Sequence, residues 1–184
     1  MEKTDLSKYD NSWYHPGKKV VCIVWYFVNV LFFISHIIPL SGLKIWLLKL
    51  FGAKVGFGVV IKPGVNIKYP WKLVIGDYSW IGEDVWIDNL AQVTIGSNVC
   101  ISQGTMLLTG NHNYKKSTFD LMIAEIILED GVWIGAQSVV CPAVTCFSHA
   151  VLAVASVATK NLGAYTINQG NPAVCVNTRK IMEN

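Results

Sequence analysis

The stretch Ile75–Gln92 reads IGDYSW, IGEDVW, IDNLAQ: an aliphatic residue returns at every sixth position, twice with a glycine behind it. Six is not the period of a helix, but it is three strand alternations of two, so side chains at positions one and five of each unit face the same way. The same phase runs outward in both directions. Upstream it reads VGFGVV from Val55, IKPGVN from Ile61 and IKYPWK from Ile67, then steps over Leu73 and Val74. Downstream it steps over Val93 and Thr94 and resumes as IGSNVC from Ile95, ISQGTM from Ile101 and LLTGNH from Leu107. After one interruption it continues as LEDGVW from Leu128, IGAQSV from Ile134, VCPAVT from Val140, CFSHAV from Cys146, LAVASV from Leu152 and ATKNLG from Ala158.

Three short strands per coil build a triangular prism. The first residue of each unit fills its axis. The fifth is small or β-branched (Val65, Ser79, Val85, Ala91, Val99, Thr105, Val132, Ser138, Val144, Ser156) and fits the crowded space beside it. Glycine at position two and Asn or Asp at corners ease the bends. Coils stack through backbone hydrogen bonds, which gives parallel sheets with few open edges. A corner this short carries no crossover helix, so the right-handed crossover rule does not apply. The predicted fold is mainly β: a left-handed parallel β-helix, or hexapeptide-repeat solenoid, with an N-terminal helical segment and one protruding loop. Residues 1–54 form an N-terminal extension with apolar helices. Residues 55–168 form the solenoid with a loop at 112–127, and residues 169–184 form a C-terminal tail.

The chain has 184 residues and a net charge of +3, with Lys and Arg dispersed, so no basic stripe for nucleic acid exists. A hydrophobic content of 52% against 15% charged residues excludes disorder. Cys22, Cys100, Cys141, Cys146 and Cys175 are odd in number and lack a Cys-x-x-Cys pair, which predicts small buried apolar residues in a reducing compartment, the cytoplasm. Val20–Leu40 is apolar except for Asn29, Ser35 and His36, and LKIWLLKLF follows at Leu43–Phe51. The polar residues and Pro39 oppose a membrane span. The expectation is helices packed on the solenoid or lying on the inner face of a membrane, with peripheral contact through residues 20–51.

The phase breaks once, between His112 and Leu128, within NHNYKKSTFDLMIAEI. Loops expelled from a solenoid tend to carry function. His112 stands at the mouth of this one, behind the turn residues Gly110 and Asn111. An imidazole there is suited to general-base work near neutral pH. The other solenoid histidine, His149, sits at a corner and is expected to face solvent.

IKPGVNIKYPW at Ile61–Trp71, SWIGEDVWIDNLAQVTIG at Ser79–Gly96, TGNHNYKKSTFD at Thr109–Asp120, GVWIGA at Gly131–Ala136, VATKNL at Val157–Leu162 and QGNPA at Gln169–Ala173 occur in that order, after LFGAKVG at Leu50–Gly56. This ordered set resembles the hexapeptide-repeat acyltransferases, among them the O-acetyltransferases of colanic-acid and other exopolysaccharide clusters and the maltose and galactoside acetyltransferases. The resemblance implies a homotrimer with its site between two prisms, acetyl-CoA as donor, no metal, and His112 as general base. It puts Trp133 and Ala136 at the thioester end, and Val154, Thr159 and Lys160 along the pantetheine and phosphates. Asp88, Asn89 and Tyr114 fall on the side of the acceptor, a sugar or a lipid-linked oligosaccharide. The chemistry adds a backbone N–H of the Gly135–Ala136 turn as oxyanion donor, and Lys160 with Arg179 as cations for the CoA phosphates.

The chain departs from the family pattern at Ala143, Phe147 and Ala155, where corner glycines are usual. It departs again at Cys175 and Asn177, where basic residues follow the GNPA turn. Other functions on the same solenoid are a zinc-type carbonic anhydrase, which would need three converging histidines where the solenoid has His112 and His149, and a non-catalytic scaffold or membrane-associated assembly protein. Transfer to an amino sugar or to serine stays within the enzyme class.

Overall fold

The computed structural model of the chain describes residues 3–182. Three parallel sheets wrap one core. The first face holds Lys54–Val55, Leu73–Ile75, Val93–Ile95, Ile126–Leu128 and Thr145–Cys146. The second holds Val60–Ile61, Trp80–Ile81, Cys100–Ile101, Trp133–Ile134, Val151–Leu152 and Thr166–Gly170, closed by antiparallel Ala173–Thr178. The third holds Asn66–Ile67, Trp86–Asp88, Met106–Leu108, Val139–Val140 and Val157–Ala158. Val60 pairs with Trp80 and Trp80 with Cys100, whereas beyond the interruption Trp133 pairs with Val151. Early coils are therefore three hexads plus the two stepped-over residues, which extend the first-face strands, and later coils are three hexads alone.

The axis is filled as the period requires. The first residue of every hexad, from Val55 to Ala158, is buried. The predicted fifth-position residues are buried too, apart from half-buried Ala91. Many corners bend through the left-handed region without glycine, at Tyr78, Asp84, Asn98, Gln137, Ala143, His149 and Ala155, with φ between 54° and 67°. Such a conformation costs an L-residue roughly 1–2 kcal/mol. Aromatic contacts offset part of it: Phe57 meets Tyr78 edge to face at 5.6 Å, and Tyr165 lies parallel on His149 at 4.7 Å. His149 is consequently half-buried beneath Tyr165, with a buried Nδ1, and not the solvent-facing corner expected from its place in the hexad.

The excursion also begins and ends differently from 112–127. Gly110–His112 pairs antiparallel with Leu121–Ile123, so the segment leaves as a β-hairpin at Gly110. The coil is re-entered at Ile126, which pairs with Val93. Ile126 and Ile127 are the two-residue extension ahead of a hexad, as Val93 and Thr94 are one coil earlier, and strict six-residue phase hides them.

Two helices, α1 (Lys19–Val28) and α2 (Ser41–Leu50), with a π-helical continuation Asn29–Ile34, cover the first coil. Trp25, Phe33, Leu47 and Leu48 join the prism core. The polar members of the apolar run serve the same contact. Trp25 Nε1–H donates to the Ile67 carbonyl at 2.8 Å, and the Asn29 amide donates to Asn66 Oδ1 at 2.7 Å. The fully buried Lys44 ammonium donates to the Lys62 carbonyl at 2.9 Å, and desolvation lowers its pKa. Among the described residues no helix is long and apolar enough to cross a membrane. Of the cysteines only Cys146, a first-position residue, is buried, with its thiol pushed up to about 12 by desolvation. Cys22, Cys100 and Cys141 are half-buried and Cys175 is exposed; Cys100 is the sixth and Cys141 the second residue of its hexad, neither of which is an inward position.

Replacing Trp25 with alanine removes a large core side chain and orphans the Ile67 carbonyl. The expected loss is about 3–5 kcal/mol of unfolding free energy in urea titration, whereas exposed Phe27→Ala should change it by under about 0.5 kcal/mol.

Candidate active site

The corner between the third and first faces is already enlarged by the extra residues of the early coils, and the structure builds a ladder there. Buried Asn89 spends its carboxamide on the coil below, accepting from Tyr69 N–H at 2.9 Å and donating to the carbonyls of Tyr69 and Lys72. One coil on, buried Thr109 donates to the Asp88 carbonyl at 2.8 Å and accepts from Ala91 N–H at 2.9 Å. The hairpin grows directly from Thr109. Its far end is tied back by Ala124 N–H to the Thr109 carbonyl at 2.9 Å.

His112 closes the outgoing strand of the hairpin. Its Nδ1 lies 3.0 Å from the Phe119 carbonyl, and its ring stacks on the Phe119 ring at 4.5 Å with 8° between planes. A carbonyl only accepts, so Nδ1 carries a proton, and in the neutral imidazole the lone pair then lies on Nε2. Phe119 reaches this position with φ 52°, a left-handed conformation for a bulky residue. Backbone strain of this kind is worth about 1–3 kcal/mol and is held only by its surroundings.

A cavity of about 390 Å³ opens beside His112, with Lys68, Tyr69 and Leu90 on the corner below and Tyr9 and Tyr14 on the chain's N-terminal segment. That segment is pinned by Tyr14 O–H to the Leu90 carbonyl at 2.9 Å, Trp71 Nε1–H to the Pro16 carbonyl at 2.6 Å and Asp5 N–H to the Ser117 carbonyl at 2.9 Å. Burial pushes the Tyr14 phenol pKa up and the Lys72 ammonium pKa down. Lys68 is held by Asp88 at 2.8 Å.

The expected site residues thus separate. His112 lines this cavity, and Asp88 acts on it through Lys68. Asn89 is committed to backbone and is not among the lining residues. Tyr114 stands 74% exposed in the hairpin loop, away from the cavity lining.

A second depression, a groove of about 700 Å³, runs along the second face and its corner with the third. Trp133, Gly135, Ala136, Val154 and Arg179 line it, joined by Ser102 and Gln103. Trp133 Nε1–H donates to Ser102 Oγ at 3.0 Å. Gly135 N–H is already used, on the Leu152 carbonyl at 2.7 Å, while Ala136 N–H makes no hydrogen bond among the described residues. The turn therefore offers one free backbone donor, at Ala136. Arg179 donates through Nη1 to the carbonyls of Gly131 at 2.8 Å and His149 at 3.3 Å, which fixes the guanidinium at the groove. Thr159 and Lys160 do not line this groove. Thr159 borders a different hollow under the hairpin with Asn111 and Cys141, and Lys160 is exposed.

Sequence reasoning missed Phe119, Tyr9, Tyr14, Lys68, Tyr69, Ser102 and Gln103. Ser102 and Gln103 could have been found from repeat phase, because Cys100 pairs with Trp133 and carries them to the level of Gly135 and Ala136. Nothing in the linear pattern points to Phe119 or to the N-terminal wall.

A hexad prism with one histidine-bearing hairpin and an open groove on another edge defines the class, and the chain belongs to the hexapeptide-repeat acetyltransferases, an enzyme family. In particular, over 166 residues, 90% of this chain and 91% of the relative, it is 36% identical to the Escherichia coli K12 protein named "Putative colanic acid biosynthesis acetyltransferase WcaF". No protein-family model matches the chain. Among solved structures, the hexapeptide-repeat acetyltransferase VCA0836 of Vibrio cholerae, complexed with acetyl-CoA, superposes with a TM-score of 0.79 at 22% identity, over 89% of each chain. Galactoside acetyltransferase in complex with coenzyme A gives 0.76 at 22% identity, over 88% of this chain and 82% of that one. At such identities these two attest the fold.

Phe119→Ala removes the ring against which His112 is stacked. The expected result is a fall in kcat of roughly ten- to a hundredfold with an unchanged dissociation constant for CoA, measured by stopped-time turnover and by calorimetry.

Proposed function

We propose that the chain transfers the acetyl group of acetyl-CoA to a sugar hydroxyl in exopolysaccharide biosynthesis, as a homotrimer with His112 as general base. The observation that carries this reading is the Nδ1–Phe119 carbonyl contact, which leaves Nε2 of His112 free to accept a proton beside a cavity. Nε2 takes the proton of the attacking hydroxyl as its oxygen bonds to the thioester carbonyl carbon. The carbon–sulfur bond then breaks, and the imidazolium returns the proton to the departing CoA thiolate. Ala136 N–H is the available donor for the oxyanion.

The acceptor side is read from the cavity lining. Tyr9, Tyr14 and Tyr69 offer flat faces to a pyranose ring and Lys68 a cation beside it. The name of the 36%-identical relative supports a polysaccharide acceptor. The donor side is read from the groove, where Arg179 supplies the charge for a CoA phosphate in place of the basic residues absent at Cys175 and Asn177. Acetyl-CoA and CoA in the two fold neighbours support the donor. The trimer is supported by separation: within one chain the His112 cavity and the Ala136 groove occupy different edges of the prism and share no lining residue. A neighbour related by threefold rotation is the simplest way to join them.

His112→Ala is expected to lower kcat by about a hundred- to ten-thousandfold, with CoA affinity and native mass unchanged. The assay follows free thiol release with a panel of oligosaccharide and lipid-linked sugar acceptors. An unchanged rate would remove the general base from this account.

A further inference from the structure

The outer side of the N-terminal cap is as apolar as the side packed on the solenoid. Trp25, Asn29 and Phe33 turn inward, while Val20, Ile23, Phe27 and Leu31 repeat at helical spacing on the opposite side. Ile23, Phe27 and Leu31 are 58–59% exposed, and the stripe continues through Ile37, Leu40, Trp46 and Leu50, all more than half exposed. A water-facing helix surface is ordinarily polar, and a contiguous apolar patch marks an interaction site.

Charge identifies the occupant. Between Asp10 and Asp77 the sequence contains no acidic residue, and Asp84, the carboxylate that the solenoid brings to the cap, is engaged by His36 at 2.9 Å. Lys18 and Lys19 at the start of α1 and Lys49 at the end of α2 are exposed at the rim of the patch. A second copy docked on this face about a twofold axis would set these lysines against one another, which is repulsive. An anionic surface with an apolar interior satisfies both rim and centre, and the exposed rings of Tyr26 and Trp46 suit the level of lipid headgroups.

We propose that this outer face docks on an anionic phospholipid bilayer, with α1 and α2 lying in the headgroup layer. The docking does not depend on the chemistry assigned to His112, but it bears on it. The hollow between α1 and the first coil, bordered by Cys22, Tyr26 and Ile34, shares Lys68 and Tyr69 with the His112 cavity. A docked chain therefore holds its acceptor cavity beside the lipid surface, where a membrane-borne acceptor would arrive.

The test is co-sedimentation of the full chain with vesicles of phosphatidylcholine alone or mixed with phosphatidylglycerol. Wild type should partition at least roughly tenfold more strongly onto the phosphatidylglycerol vesicles, with a loss at high salt. Ile23→Ser/Phe27→Ser/Leu31→Ser and, separately, Lys18→Glu/Lys19→Glu should each lower partitioning about tenfold or more. Both variants change exposed residues only, and unchanged CoA binding and native mass check their folding. Equal binding to the two vesicle types, no binding by wild type, or wild-type binding by the triple variant would overturn the proposal. So would a smaller native mass for the triple variant, since the face would then be a contact between copies. Thiol release with a water-soluble acceptor is measured in parallel, so failure to dock is distinguished from failure of catalysis.

Discussion

Each coil of the prism satisfies its backbone hydrogen bonds on the coils above and below, and only the first and fifth side chains of a hexad turn inward as a rule. Much else in the molecule follows from that constraint. A chain that departs from the period cannot bulge inward, because the axis from Val55 to Ala158 is filled. It must leave at a corner and return in register. The hairpin does this, leaving after Thr109 and re-entering at Ile126 opposite Val93. The ends carry the same obligation, since an open last coil would expose both core and backbone. Trp25, Asn29 and Lys44 meet it at one end with bonds to Ile67, Asn66 and Lys62, and Ala173–Thr178 meets it at the other.

The functional geometry is a by-product of where corners can be loosened. The corner between third and first faces carries extra residues in the early coils, and Asn89 and Thr109 lock its layers together. A rigid base of this kind lets a hairpin hold His112 by one carbonyl and one aromatic ring, with Phe119 paying for its left-handed backbone through that contact. The corner between second and third faces stays tight, which leaves a groove with a free N–H at Ala136 and a cation at Arg179. A solenoid with no interior room presents its cavities on the surface, and rigid coils hold the side chains that line them.

The prism was legible in the sequence because its rule is one-dimensional: a six-residue period names the axial residues and all of them are buried, while Leu73, Val93 and Ile126 are buried outside that period. The site was legible only where it interrupts or obeys that rule. His112 was visible as the residue at the break, Trp133, Ala136 and Val154 by family pattern, and Gly135 and Arg179 by the chemistry that acyl transfer from CoA requires. Contacts made across the fold were not visible. The wall formed by Tyr9 and Tyr14 depends on an N-terminal segment that packs against Leu90 far along the chain. His149 could not be read as half-buried, because Tyr165 reaches it from the following coil. Asn89 looked like an acceptor-binding residue and is a corner brace, a distinction that rests on three hydrogen bonds no spacing encodes.

In the proposed trimer one site is completed by two copies, His112 from one and Ala136 from its neighbour. This is tested most directly by mixing two inactive chains, His112→Ala and Ala136→Trp, under conditions in which subunits exchange. Separately each should be silent. Random mixed trimers should recover about a quarter of wild-type turnover, the fraction of interfaces that join an intact His112 to an intact Ala136. Mixed trimers that form and remain inactive would contradict the account.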